Sequence, residues 1–297
     1  MRYIKAARVY RAPLPAKAHL SEALAKLAFQ EITEVQAYSC GFIPVTEDKL
    51  VESDPDGRFM HIKFRLDQKV IPTDAINAEV KKRVTDQEED FGVKLGRKAI
   101  AEIKDIVLQD LTARALHRTT VVSLFHDRQS EFLIAATSNR NVADMALDRL
   151  VRALGSLKTT TIHVDSLQQG LTARLQKDLF IFEEDPFAPF SREGDYWLES
   201  EEEKVTIVNA ESGALQEALG NGLQVKAMRL RHGLVTFNLT SDFLFKNIRF
   251  DASEDEEPQE RATETLAQLL QFTAALDDLC LMFDYKPPEE EEDDESQ

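Results

Sequence analysis

At 297 residues, 43% of them apolar, the chain is long enough to bury one or more cores, and with two cysteines it is not a disulfide scaffold. Its 53 Asp and Glu against 36 Lys and Arg give a net charge of −17, which argues at first against a polyanionic partner. No apolar run approaches the roughly 20 residues that span a bilayer, and residues 1–11 lack the apolar core of an export signal, so neither a membrane partner nor secretion is expected. Cys40 and Cys280 lie far apart without metal-ligand spacing and are expected as reduced thiols in a cytoplasmic protein.

Residues 2–11 alternate as a strand, and Leu20, Leu24, Leu27 and Ala28 then recur at helical spacing. The clearest strand is 57–67, with Met60, Ile62, Phe64 and Leu66 on one face and Phe59, His61, Lys63 and Arg65 on the other. Pro72 and Thr73 signal a start, with Thr73 as N-cap, for a helix carrying Ile76, Val80 and Val84. After a break at 88–96 a second helix covers 97–115, with Ile100, Ile103, Val107, Leu108 and Leu111 on its apolar side; the pair forms a hairpin suited to projecting from a sheet.

Residues 119–126 and 131–137 read as a β-hairpin whose turn keeps His126 and Asp127 in solvent. Asn139 or Asn141 caps the next helix, which carries Val142, Met145, Ala146, Leu150, Val151 and Leu154 and stops at Gly155. A strand at 159–164, a helix at 168–180, an acidic connector at 183–203, a short strand at 204–208 and a short helix at 212–219 follow. A hairpin of 224–231 and 234–240 turns at His232 and Gly233; Phe245, Ile248 and Phe250 extend the sheet, and a last helix covers 261–284 before Pro287 and Pro288. The fold class is α+β with antiparallel sheets. The expected organisation is a central region of 1–72 with 119–182, the helical hairpin at 73–118, the connector at 183–203, a second α+β region at 204–286 and a disordered acidic tail at 287–297.

The negative charge is concentrated. Residues 183–203 hold nine acids and one arginine, 251–260 six acids and 287–297 seven acids, the last two without a base. The rest is mildly basic, with six bases against one acid over 1–30 and five against one over 226–250.

No phosphate-binding Gly-rich loop of either common spacing occurs, which removes nucleotide hydrolysis and dinucleotide redox; no Cys/His cluster suggests zinc, and no cofactor or metal site is expected. Asp90-Phe91-Gly92 matches a kinase tripeptide by coincidence, since the catalytic and Gly-rich loops are missing. What stands out is basic residues on regular elements: Lys81, Lys82 and Arg83, then Lys94, Arg97 and Lys98, around the hairpin, and Lys226, Arg229 and Arg231 along one strand, with Arg249 beyond. Such residues bind phosphates irrespective of sequence. The plainer reading is a helix surface with ion pairs to Glu79, Asp86 or Glu102.

The chain as a whole resembles the RdgC family of recombination-associated proteins. The likeness starts at Tyr3-Ile4-Lys5 and Val9-Tyr10-Arg11. It continues through Ser39-Cys40-Gly41-Phe42-Ile43-Pro44, where Phe42 replaces a Trp, then Lys69-Val70-Ile71-Pro72, Gly96-Arg97-Lys98 and Ile103-Lys104-Asp105-Ile106-Val107-Leu108. It is strongest at Leu150-Val151-Arg152-Ala153-Leu154-Gly155-Ser156-Leu157 and extends to Lys246-Asn247-Ile248-Arg249-Phe250.

The resemblance implies a horseshoe-shaped subunit and a ring-shaped homodimer that encircles double-stranded DNA without sequence preference, on the nucleoid, and restrains a RecA-type recombinase without catalysis. The family's hairpin ends in Leu-Pro-Arg-Ala-Phe, whose aromatic residue closes a subunit contact. Here the stretch is Leu111-Thr112-Ala113-Arg114-Ala115-Leu116, making Arg114 and Leu116 the dimer-contact candidates. The family's basic strand before its short helix is reduced to Lys204. The expected DNA contacts are Lys81, Lys82, Arg97, Lys98, Lys226, Arg229 and Arg249. Two other readings stand beside this one: an acidic module that engages a recombination or other basic protein, and a metal-dependent exonuclease.

Overall fold

Alternation and helical periodicity resolve, in a computed structural model, into the order β1 (Ala6–Arg11), α1 (Lys17–Ala25), β2 (Tyr38–Ile43), β3 (Val51–Ser53), β4 (Phe59–Lys69), α2 (Thr73–Phe91), α3 (Arg97–Arg114), β5 (His117–Asp127), β6 (Phe132–Ala135), α4 (Arg140–Leu154) and β7 (Thr160–Thr161). The order continues α5 (Leu167–Phe180), β8 (Ser191–Glu199), β9 (Lys204–Ile207), α6 (Ser212–Gly220), β10 (Gln224–His232), β11 (Val235–Thr240), β12 (Leu244–Phe250) and α7 (Arg261–Met282). The structure describes residues 4–155, 160–161, 167–180, 185–209, 212–251 and 261–285. The predicted acidic tail at 287–297, most of the acidic run at 251–260, and parts of the strands predicted at 2–11 and 159–164 lie outside them.

The class is α+β with antiparallel strands and a helical hairpin, as predicted, but the strands form one sheet. Its order is β2-β4-β5-β6-β1-β12-β11-β10-β8-β9, with β3 added to β4 and β7 to β1. The two halves join because β1 pairs with β6 on one edge, Val9 opposite Ile134, and with β12 on the other, Ala7 opposite Phe245. Each half buries a different face. Tyr10 and Ala12 join Phe42, Ile62, Phe64 and Leu124 beneath α1 and α4. Ala7 and Val9 join Met228, Phe237, Leu239 and Phe245 beneath α5, α6 and α7. The second core centres on Phe237, whose ring meets Phe245 and Phe272 edge-on at centroid distances of 5.2 and 6.3 Å. Because the two cores lie on opposite faces, no helix among the described residues covers the face of the β8 to β12 half that lies away from α5, α6 and α7.

The hairpin of α2 and α3 buries little. No α2 residue is buried, and of the predicted α3 face only Ile103 and Val107 are. Arg83 ties the helices together, reaching Glu79 at 2.9 Å and Asp110 at 2.8 Å.

Three expectations are corrected. Thr73 is the first helical residue; Pro72 holds the N-cap position and no side chain caps the helix. The acidic stretch at 183–203 is not simply a connector: Ser191–Glu199 is a strand with Tyr196 and Leu198 buried, its acids lying on the opposite face. His126 and Asp127 end β5 and are buried, because Arg58 neutralises Asp127 and the Ala12 carbonyl receives His126 Nε2 at 2.8 Å. Asn139, not Asn141, caps α4, accepting from Val142 N.

Strand β2 would be an open edge, but residues 27–29 run beside it. Phe29 N donates to Phe42 O at 2.8 Å, and Phe42 N donates to Leu27 O at 3.1 Å. Gly41 permits this approach: a Cβ there would lie 2.6 Å from Phe29 Cα and 2.8 Å from Leu27 O. Gly41→Ala is therefore expected to destabilise the protein by about 1–3 kcal/mol through backbone overpacking. A urea midpoint equal to the parent's would show that residues 27–29 yield freely.

Candidate nucleic-acid interface

The hairpin candidates do not form one cluster. Lys81 and Lys82 lie on α2, and Arg97 and Lys98 in the first turn of α3; all four are exposed. The Arg83–Asp110 bridge sets the helices' register, and at 1.5 Å per residue Arg97 lies about 20 Å along the axis from the level of Arg83. Acids are interspersed among them, six on α2 alone. Beyond α3, Arg114 is exposed and Leu116 is 86% exposed, with its carbonyl accepting from Val70 N at 3.0 Å.

The uncovered sheet face does bring cations together. Hairpin β10–β11 turns at Gly233 with φ +54, which sets Arg229 opposite Asn238 and Arg231 opposite Thr236. On the other edge of β11, β12 sets Lys246 opposite Asn238 and Arg249 opposite Thr236. Directly paired residues share a face, so two rows form: Arg229, Asn238, Lys246 and Arg231, Thr236, Arg249. With strands about 4.8 Å apart, the outer members of each row start from backbones about 10 Å apart. Thr236 and Asn238 are buried beneath the longer cations, while Lys246 and Arg249 are exposed and make no ion pair among the described residues.

The β10 cations are differently placed. Across the β8–β10 pairing, Glu199 meets Lys226, Asp195 meets Arg229 at 3.0 Å and Glu193 meets Arg231 at 2.9 Å. Asp251 reaches Arg231 from the end of β12 at 2.8 Å. The Glu193 contact first, then Asp251, raises the Arg231 pKa above its ordinary value. Of the five cations Lys226, Arg229, Arg231, Lys246 and Arg249, the three on β10 thus already have carboxylate partners.

Of the predicted contacts, the sheet unites Arg229 and Arg249 on one face, with Lys226 further along β10. Sequence reasoning missed Lys246, Asn238 and Thr236 as parts of the same array. Their signal was the hairpin turn: fixing it at Gly233 fixes the register, and the register decides which β11 and β12 side chains stand beside Arg229 and Arg231.

A family model described as "Putative exonuclease, RdgC" matches residues 2–282. Proteins named recombination-associated protein RdgC are similar to the chain: that of Bordetella pertussis is 26% identical over 166 residues, covering 55% of each chain. Those of Burkholderia orbicola and Janthinobacterium sp. are 28% and 29% identical over 166 residues, covering 54% of this chain and 53% and 55% of theirs. The chain spans about half the length of these curated relatives in the matched region. With the family model extending from β1 into α7, the chain belongs to the RdgC family.

Proposed function

We propose that the chain is a non-enzymatic protein that binds double-stranded DNA without sequence preference and acts in homologous recombination, restraining a RecA-type recombinase as a ring-shaped homodimer on the cytoplasmic nucleoid. One observation carries the DNA reading: four cations, Arg229, Arg231, Lys246 and Arg249, share an uncovered sheet face in two rows. An array of this kind neutralises phosphates by counterion release and reads no base. The relatives' name supports the process. Family resemblance supports the ring, with exposed Arg114 and Leu116 as contacts to a second copy.

Binding to linear and covalently closed duplexes of one sequence at ~50 and ~200 mM salt tests the reading. Tight, salt-sensitive binding with slow release from the closed circle is expected. Lys246→Glu with Arg249→Glu should weaken binding at least about ten-fold at the lower salt and flatten the salt slope by about two. Unchanged affinity would remove the array as the contact. The family model's description also names a nuclease; among the described residues no group of three or more His, Cys, Asp or Glu is placed to hold a metal ion. Mg²⁺-dependent loss of the linear duplex would replace the binding reading with catalysis. The carboxylate partners of the β10 cations favour a second reading, a module for a basic protein, which gains if no duplex is bound at low salt.

A further inference from the structure

We infer that the carboxylates of β8 are a built-in competitor for DNA: Glu193, Asp195 and Glu199 occupy the β10 cations that phosphates would otherwise take. The inference rests on the DNA-binding reading above. Its ground is one-to-one matching along a whole strand. Each outward cation of β10 has its own β8 carboxylate, Lys226 with Glu199, Arg229 with Asp195 and Arg231 with Glu193. The pairs are not a side effect of acidic composition. The antiparallel β8–β10 ladder brings the two strands' outward faces together, and its two register shifts, between Val225 and Ala227 and between Met228 and Leu230, fall among the paired cations.

The same sheet supplies an internal comparison. On β12, with β10 and β11 between it and β8, Lys246 and Arg249 share the face and have no carboxylate partner among the described residues. The face is thus divided into an open pair of cations and a closed row. A phosphate reaching Arg229 must displace Asp195, and the displaced carboxylate stays beside the ligand and repels it. The pairs are half-buried and keep access to solvent, so they can be displaced and the row is restrained and not abolished. The expected behaviour is a protein that first engages duplex through Lys246 and Arg249 and recruits the β10 row only at low salt or under a high local density of phosphate.

The test is the triple variant Glu193→Gln, Asp195→Asn, Glu199→Gln, which keeps side-chain size, frees Lys226 and Arg229 and leaves Arg231 with Asp251 alone. At ~50 mM salt it should bind duplex at least about ten-fold tighter than the parent, with a log–log salt slope steeper by about two to three. The single variant Asp195→Asn should move both readings in the same direction by a smaller factor, which protects the test if the triple variant melts. A charge-matched control, Glu22→Gln with Asp48→Asn and Asp56→Asn, alters exposed positions on α1 and in the turns flanking β3, in the other half of the protein. If the control tightens binding as much as the triple variant, total charge is the cause and the inference fails. It fails equally if the parent binds and the triple variant binds no tighter. Binding by neither chain at any salt overturns the DNA reading and this inference with it.

Discussion

Arg58→Ala is expected to destabilise the protein by about 3 kcal/mol, the lower end of the range for breaking a buried ion pair because Arg58 itself remains 30% exposed. Its partner Asp127 is fully buried, at 0% exposure. Arg58 donates to Asp127 through Nε at 3.0 Å and a terminal nitrogen at 2.7 Å, and Gln129 N donates to it at 2.9 Å. Burial alone would push the Asp127 carboxyl up; the Arg58 bonds, the Gln129 amide and the Arg58 charge together outweigh it and hold the pKa below the ordinary value. Without Arg58 an unpaired anion is left in the core. The loss also reaches α7, because Asp277, whose pKa is raised by burial and then by Asp127, loses a nearby cation. Urea unfolding at pH 7 is the check, with Asp127→Asn added to the Arg58→Ala background. The double variant should recover part of the loss, since the amide needs no counter-charge. A single variant within about 0.5 kcal/mol of the parent would mean that water reaches Asp127.

Acid should weaken the fold through His61, by about 3 kcal/mol between pH 6.5 and 4. The ring stacks on Phe125 at a centroid distance of 4.5 Å, and Nε2 lies 3.0 Å from Ser123 Oγ. Burial, then the nearby Lys63, lowers its pKa from 6.5 to about 4. The sign follows from proton counts. Above pH 6.5 His61 is neutral in both states and favours neither. As the pH falls below 6.5 the unfolded chain takes a proton that the folded chain refuses, so stability drops until the folded ring also titrates near 4. His126, lowered chiefly by burial, acts in the same direction, and its Nδ1 has no hydrogen-bond partner among the described residues. Urea midpoints for the parent and His61→Gln across pH 7 to 4 should converge as the pH falls. Parallel curves would show that His61 is free to protonate in the folded protein.

Local periodicity made most of the elements legible, while contacts distant in sequence were not. The alternation of Met60, Ile62, Phe64 and Leu66 reads directly as a buried strand face, and all four residues are buried. Tyr196 and Leu198 alternate in the same way, but Glu193, Asp195 and Glu199 stand on either side of them and make a strand look like a solvated run. Their role depends on β10, a partner that the strand's own sequence does not name. His126 and Asp127 were misread for a similar reason: a polar pair beside a turn looks solvated unless Arg58, far away in sequence, is known to meet it. Within the candidate interface the β10 cations were visible as a row. Lys246 entered only through the register of β11 with β12.

The central place of β1 bears on the order in which the chain can mature as it is made. β1 is translated long before β12, yet Ala6 pairs with Lys246, and Ala7 and Val9 share a core with side chains from α5, α7 and the late strands. The nascent chain can close the core beneath α1 and α4 first, because β6 and α4 are made well before β12. Until β12 leaves the ribosome, the Ala6–Arg8 stretch of β1 keeps an unpaired edge and an apolar face turned to water, so the last step of folding is a long-range closure with a loop-entropy cost. The first half is thus a template that waits for the second, and that interval is when a free edge is most open to pairing with the wrong chain.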